Sequence, residues 1–287
     1  MNPWLLGARP RTLPAAVVPV AVGLAASVGV GGAAWWRVGL ALLVSLALQV
    51  GVNYANDYSD GVRGTDDVRV GPARLVGGGI KPAAAVRRAA LLSFGVALVA
   101  GGVLVLFVGW ELIPVGVAAV AAGWFYTGGP RPYGYLGLGE VFVFVFFGLV
   151  ATAGTTYVIV EQLPWISVVA GCGTGALSCA LLVVNNLRDI PTDMQSGKRT
   201  LAVRMGDRRT RWFYVLLIDA AFVMVVICAS QRTAALIGLA AIPLAALPVR
   251  TVLGGATGRG LIPALAWTGR VQLAYGLAFG IGLALGA

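Results

Sequence analysis

Apolar residues run along this chain in long unbroken stretches, and polar residues gather in a few short intervals between them. A helix crossing a hydrocarbon core of about 30 Å needs about 20 such residues in succession. Nine stretches qualify: residues 12–33, 37–58, 88–109, 111–128, 137–160, 164–186, 212–230, 233–253 and 268–286. They are continuous where a lipid-facing barrel strand would alternate over about ten residues. Helices, which pair their own backbone groups within lipid, are therefore expected. The predicted fold is an all-α integral-membrane bundle of about nine transmembrane helices, one domain over residues 1–287. Arg9-Pro10-Arg11-Thr12 precedes the first run, no cleavage box follows, and the helix reads as retained rather than as a signal peptide.

Composition agrees. With 59 % hydrophobic residues and 11 % charged ones, the chain carries more apolar surface than a soluble domain can bury. The net charge of +10 could mean a nucleic-acid partner, but its distribution reads as membrane topology. Every Lys and Arg except Arg37 and Arg232 falls before the first run, in 59–88, near 131, in 187–211 or in 250–270. Those segments share one side of the membrane. Positive charge collects in cytoplasmic loops, so the N-terminus is expected in the cytoplasm, the C-terminus outside, and no nucleic acid as partner. The two long loops are both cytoplasmic, and function is expected there. Cys172, Cys179 and Cys228 lie in apolar runs with no CxxC pair and read as packing. Histidine is absent, which removes every His-based triad and proton shuttle.

Of the 11 acidic residues, Asp57, Asp60, Asp66 and Asp67 lie at the first long loop and Asp189, Asp193 and Asp207 at the second. Asn56 and Asp60 stand four apart at the end of the second run, and Asn185, Asp189 and Asp193 follow at steps of four at the end of the sixth. Such spacing stacks oxygen ligands on one helix face. Crowded carboxylates repel one another unless hard cations join them. Mg²⁺, held by a few carboxylates together with phosphate oxygens, fits that need. Arg63, Arg188, Lys198 and Arg199 would meet the remaining oxygens of a diphosphate. This is the equipment for ionising an allylic diphosphate: cations stabilise the leaving group, and an apolar bundle shelters the carbocation. A solvated, salt-bridged loop is the plainer reading of either cluster alone. The repeated Asn-xxx-Asp core at the inner ends of two even-numbered helices argues against it, and suggests halves of about 1–130 and 131–253 with a final helix at 268–286. A cation-coupled transporter is the rival from another class, but its ligands would gather near the midplane.

Four further segments carry a resemblance: Arg9-Pro-Arg11-Thr-Leu-Pro-Ala-Ala; Gly71-Pro-Ala-Arg74-Leu-Val-Gly-Gly-Gly; Tyr126-Thr-Gly-Gly-Pro-Arg131-Pro-Tyr133-Gly-Tyr135-Leu-Gly-Leu-Gly-Glu140; and Asn186-Leu-Arg-Asp189 through Gly197-Lys198-Arg199. With the paired acidic motifs, the chain resembles the UbiA superfamily of intramembrane aromatic prenyltransferases over nearly its whole length. It is most similar to the branch that prenylates 1,4-dihydroxy-2-naphthoate for menaquinone synthesis. The resemblance implies metal and diphosphate binding at Asn56, Asp60 and Asp66 and at Asp189 and Asp193, a set Asn185 joins by spacing. It implies diphosphate contacts from Lys198 and Arg63. Asp60-xxxxx-Asp66 stands where many members have Asp-xxx-Asp, which makes Asp67 a competitor of Asp66.

Asp60, Asp189, Asp193 and Tyr126 are the expected catalytic residues, the Tyr126 ring lying near the reacting carbon, where its electron-rich face could stabilise a cation. A belt tyrosine at the interface is the alternative for Tyr126, and more so for Tyr133 and Tyr135. Glu140, just inside the fifth run, should face a cavity or a cation. Arg9 and Arg11 either reach the acceptor's acidic groups or the diphosphate, or simply set topology. Asp219 is a lone acid with no motif around it. The implied reaction joins a polyprenyl diphosphate to 1,4-dihydroxy-2-naphthoate with loss of CO₂, giving demethylmenaquinol, the tail lying among membrane lipid. 4-Hydroxybenzoate is the alternative acceptor. The implied location is a bacterial plasma membrane, with the site facing the cytoplasm.

Overall fold

A computed structural model describes residues 2–65 and 74–287; Asp66, Asp67 and Gly71 lie outside the described residues. Every regular element within them is helical. A short helix, Pro3–Ala8, and a turn, Pro10–Thr12, precede α1 (Pro14–Ser27). There follow α2 (Arg37–Val62), α3 (Ala83–Phe107), α4 (Leu112–Phe125), α5 (Gly139–Val160), α6 (Trp165–Gln195), α7 (Leu201–Ala229), α8 (Thr233–Leu253) and α9 (Ile262–Leu285). Among the described residues, six helices (α2, α3 and α5 to α8) are long and apolar enough to cross a membrane. The pair Pro3–Thr12 and Pro14–Ser27, bent by 49°, raises the number to seven if it forms one span. α4, with 14 residues, is about 21 Å long and shorter than a hydrocarbon core.

Three helices extend beyond their apolar runs at the ends that carry the polar motifs. α2 continues to Val62, α6 to Gln195, and α7 begins at Leu201, well before its apolar stretch. Hydropathy ends where polar side chains begin, but backbone hydrogen bonding does not, and these extra turns carry the acidic motifs. The first turns of α7 meet the rest at Gly206, whose φ of 76° is open to glycine at little cost. Thr200 caps α7 by accepting from the Val203 N–H at 3.4 Å.

α6 is the central helix, with 83 % of its apolar window covered by neighbours. Its small residues let others approach: a Cβ on Gly148 of α5 would stand 2.5 Å from the Gly175 Cα, so Gly148 requires the missing side chain, and a Cβ on Gly175 would be tight at 3.0 Å from the Phe144 ring. This contact lies in Phe144–Val150, a stretch of α5 that winds as a π-helix. The main core joins α1 to α6–α9 through Leu177, Tyr214, Tyr275 and Phe279, all at most 0 % exposed. A smaller core seats Leu75 between Tyr54 of α2 and Phe94 of α3. Outward, α3 turns Leu92, Val99 and Leu106 to the surroundings at 72 %, 72 % and 76 % exposure, a stripe that only lipid would cover without cost. The chain is a multi-pass membrane protein.

Candidate active site

Gln49, Asn53, Asn56 and Asp60 follow one another along α2 at spacings of four, three and four, so they form one polar face. Asn185, Asp189 and Asp193 do the same on α6. Both faces line a polar cavity of about 200 Å³ at one end of the bundle. Arg9, Thr12, Arg74, Tyr126, Thr127, Tyr135, Ser178 and Lys198 complete much of its wall.

Asp60 is 3 % exposed, and a carboxylate so buried must be paired. The Tyr135 hydroxyl donates to its Oδ1 at 2.6 Å, and Lys198 Nζ donates to its Oδ2 at 3.0 Å. Burial, and then the neighbouring Asp60, push the Tyr135 hydroxyl well above the usual tyrosine range, which keeps it a donor. The same ring lies 4.8 Å from Lys198 Nζ and 5.4 Å from the Arg63 guanidinium carbon. Its carbonyl accepts from the Arg199 N–H at 3.0 Å. The loop between α4 and α5 thus ties the end of α2 to the loop between α6 and α7. On the facing helix, Arg188 forks onto both oxygens of Asp189 at 2.7 and 2.6 Å and reaches Asn185 Oδ1 at 2.9 Å. Thr127 donates to Asn56 Oδ1 at 2.8 Å, and Thr200 approaches Asp193 Oδ2 at 3.5 Å.

Other expected residues stand around this cavity rather than on it. Arg63 is exposed and donates to the Thr127 and Gly129 carbonyls. Arg188 is buried behind Asp189, while Arg11 and Arg199 are exposed. Glu140 is buried and accepts from Asn186 Nδ2 at 3.0 Å. Asp66 lies outside the described residues. Arg9 does line the cavity. Its φ of 52° is unusual outside glycine, and its Nη2 donates to the Asn53 carbonyl at 3.3 Å. Asp57, adjacent to the motif residues, accepts from the Leu75 and Val76 N–H groups at 3.0 Å each and so ties that segment to α2.

Cavity residues to which the sequence assigned no role at the site are Gln49, Asn53, Arg74, Ser178 and, above all, Tyr135, which read as a belt tyrosine. The first two carried a signal in the four-three-four spacing that leads into Asn56.

Asn56, Asp60, Asn185, Asp189 and Asp193 present only hard oxygen donors to one cavity. Among the described residues no three Asp, Glu or Cys side chains gather into a ready-made metal cluster. Mg²⁺ does not need one, because it keeps waters and takes one or two carboxylates with phosphate oxygens. The donor set therefore fits Mg²⁺ bound together with a diphosphate.

A second cavity, of about 340 Å³, runs beside the first between α2, α3, α4 and α5. Its lining is almost wholly apolar. Tyr126, Tyr133, Phe142 and Phe146 form a file of rings along it, with successive centroids 5.5, 3.9 and 6.2 Å apart.

Known proteins agree with this geometry. Residues 16–259 match the model of the UbiA prenyltransferase family. A 1,4-dihydroxy-2-naphthoate octaprenyltransferase of Mycobacterium tuberculosis is 49 % identical over 99 % of this chain and 97 % of its own. The protein of the same description from Escherichia coli is 36 % identical over 77 % of this chain and 74 % of its own. Among solved structures, a UbiA homologue from Archaeoglobus fulgidus bound to GPP and Mg²⁺ superposes with a TM-score of 0.67 at 14 % identity, covering 99 % of this chain and all of that one. At that identity the likeness concerns the fold. The chain belongs to the UbiA prenyltransferase family.

Proposed function

We propose that this protein transfers the polyprenyl group of a polyprenyl diphosphate to 1,4-dihydroxy-2-naphthoate, releasing diphosphate and CO₂ and forming demethylmenaquinol. The observation that carries the reading is one polar cavity bearing both acidic helix faces, opening beside an apolar cavity shaped for a hydrocarbon tail. The full-length similarity to 1,4-dihydroxy-2-naphthoate octaprenyltransferases supports the acceptor.

In this reading Asn56 and Asp60 on one side, and Asn185, Asp189 and Asp193 on the other, hold Mg²⁺ with the diphosphate, Asp66 joining the first set. Bound there, Mg²⁺ supplies positive charge against the charge that builds on the leaving diphosphate. Lys198 turns from Asp60 to a phosphate oxygen, while Tyr135 keeps Asp60 in position. Arg188 holds Asp189 through its fork, and Arg63 and Arg199 brace the surrounding loops. The Tyr126 ring faces the carbon that loses diphosphate and stabilises its positive charge. Arg9 and Arg74 meet the acceptor's carboxylate. The dihydroxylated ring is electron-rich and attacks without a protein nucleophile, consistent with a chain that has no histidine.

Nine spans, with the N-terminus in the cytoplasm and the C-terminus outside, accord with the charge distribution once the bent N-terminal pair, α4 and α9 also cross. The site then faces the cytoplasm of a bacterial cell membrane, and the repeat halves meet across it. An assay of purified protein with labelled polyprenyl diphosphate, offering 1,4-dihydroxy-2-naphthoate and 4-hydroxybenzoate in parallel, tests the acceptor. Product from the naphthoate alone supports the reading, and product from the benzoate alone moves the enzyme to another pathway.

A further inference from the structure

The polar and apolar cavities have four lining residues in common: Val52 of α2, Tyr126 at the end of α4, and Val143 and Phe147 of α5. Neighbouring Phe142 and Phe146 line only the apolar cavity, and Asn56, Asp60 and Asp189 only the polar one. The four shared residues therefore form a collar at the boundary between them. An allylic diphosphate is divided at its C1–O bond, the diphosphate needing the polar cavity and the chain the apolar one, so the collar surrounds C1. This step rests on the transferase reading above.

The two sides of the collar differ in hydration. A cavity walled by Lys198, Asp60, Asp189 and Asn185 offers water two or more partners, while the almost wholly apolar cavity offers few and favours a dry interior. When the C1–O bond breaks, its electron pair leaves with the diphosphate and C1 becomes an electrophile. It can be captured by the ring carbon, which forms a C–C bond and sheds CO₂. It can also be captured by water, which forms a C–O bond, loses a proton to solvent and yields a prenyl alcohol. Of the four collar residues only Tyr126 carries a hydroxyl; Val52, Val143 and Phe147 can neither hydrogen-bond such a water nor hold it in line with C1. Phe147 is the bulkiest apolar member, and it sits in the π-wound stretch Phe144–Val150, whose other side is locked to α6 by Gly148 against Gly175.

We propose that Val143 and Phe147 determine transfer against hydrolysis: they fill the collar so that the aromatic ring, and not water, reaches the allylic C1. The test measures, for one amount of diphosphate released, how much prenylated naphthoate and how much prenyl alcohol appear. Wild type, Phe147→Ala, Phe147→Leu, Val143→Ala and Phe146→Ala are compared in detergent. Phe147→Ala should raise the alcohol fraction about tenfold, a change in relative barrier of about 1.4 kcal/mol, with a smaller rise for Val143→Ala. Phe147→Leu should stay near wild type. Phe146→Ala, which widens only the tail cavity, should alter the preferred prenyl length and leave the partition unchanged. A fall in diphosphate release and product together, with no alcohol from either collar variant, overturns the seal while leaving the transferase reading in place. If wild type prenylates no aromatic acceptor at all, that reading fails and the seal with it. Should Phe147→Ala not fold, Val143→Ala decides alone.

Discussion

The hydroxyl of Tyr135 and the carboxylate of Asp60 stand 2.6 Å apart, a donor on the loop between α4 and α5 meeting an acceptor on α2, 75 residues distant in sequence. A second cation-bearing loop closes on the same carboxylate through Lys198 at 3.0 Å. Hydrogen bonds to a charged group contribute about 1.5–3 kcal/mol, or about tenfold to a hundredfold in binding. Tyr135→Phe keeps the ring that Arg63 and Lys198 approach and removes only the donor. It should raise the Mg²⁺ concentration needed for half-maximal prenyl diphosphate binding by about tenfold, read by calorimetry without turnover. In an Asp60→Asn background the same change should add little, since its target has lost its charge.

Lys198 has one role before and another after substrate arrives. Lys198→Met leaves Asp60 buried with Tyr135 alone, so binding of prenyl diphosphate should weaken about tenfold or more and its dependence on salt should flatten. A KM rise measured at two ionic strengths checks both parts.

Arg188 differs from the other cations because its fork takes both Asp189 oxygens and its Nη2 also reaches Asn185. Lysine is a point charge and cannot reproduce a planar fork. Arg188→Lys should therefore lower kcat/KM about tenfold despite keeping the charge, with the melting temperature in detergent moving by only a few degrees.

The two arginines outside the cation-rich segments close helix ends. Arg232 donates to the Ala25, Ala26 and Val28 carbonyls at the end of α1 and to Leu283 of α9 at 2.7 to 3.3 Å. Arg37 donates to the Phe107 carbonyl of α3 and the Val158 carbonyl of α5 at 2.9 and 3.0 Å, and to Glu161 at 2.7 Å. Carbonyls at a helix C-terminus lack helical partners and attract positive charge. Arg37→Met should cost about 2–3 kcal/mol of stability. Glu161 is half exposed, so Glu161→Gln should cost under about 1 kcal/mol. Equal losses in thermal melts of the two variants would contradict this division.

Most of the bundle was legible because lipid imposes long apolar runs, and α8 spans the expected 233–253. The runs could not show that α6 continues from 186 to Gln195 or that α7 starts at Leu201, because those turns face a polar cavity and not lipid. Expected residues 12–33 proved shorter and bent, as Pro10 and Pro14 start new helical segments and α1 stops at Ser27. Spacing alone marked Asn56 and Asp60, and Asn185, Asp189 and Asp193, as two polar helix faces, and both faces line one cavity. Tyr135 was not legible, since a tyrosine beside a span end has the same sequence signature whether it sits in the interfacial belt or turns inward to a carboxylate. Arg37 and Arg232 looked like exceptions to a charge rule until the carbonyls they serve were in view.

The central claim is that the two acidic helix faces act together in one decarboxylating prenyl transfer. The direct measurement follows CO₂ released from carboxyl-labelled 1,4-dihydroxy-2-naphthoate against diphosphate released from polyprenyl diphosphate, in wild type, Asp60→Asn and Asp189→Asn. The account predicts one CO₂ per diphosphate, strict dependence on Mg²⁺, and loss of both products by at least about a thousandfold in each variant. Release unaffected by either substitution, or diphosphate set free without CO₂ in wild type, would contradict it.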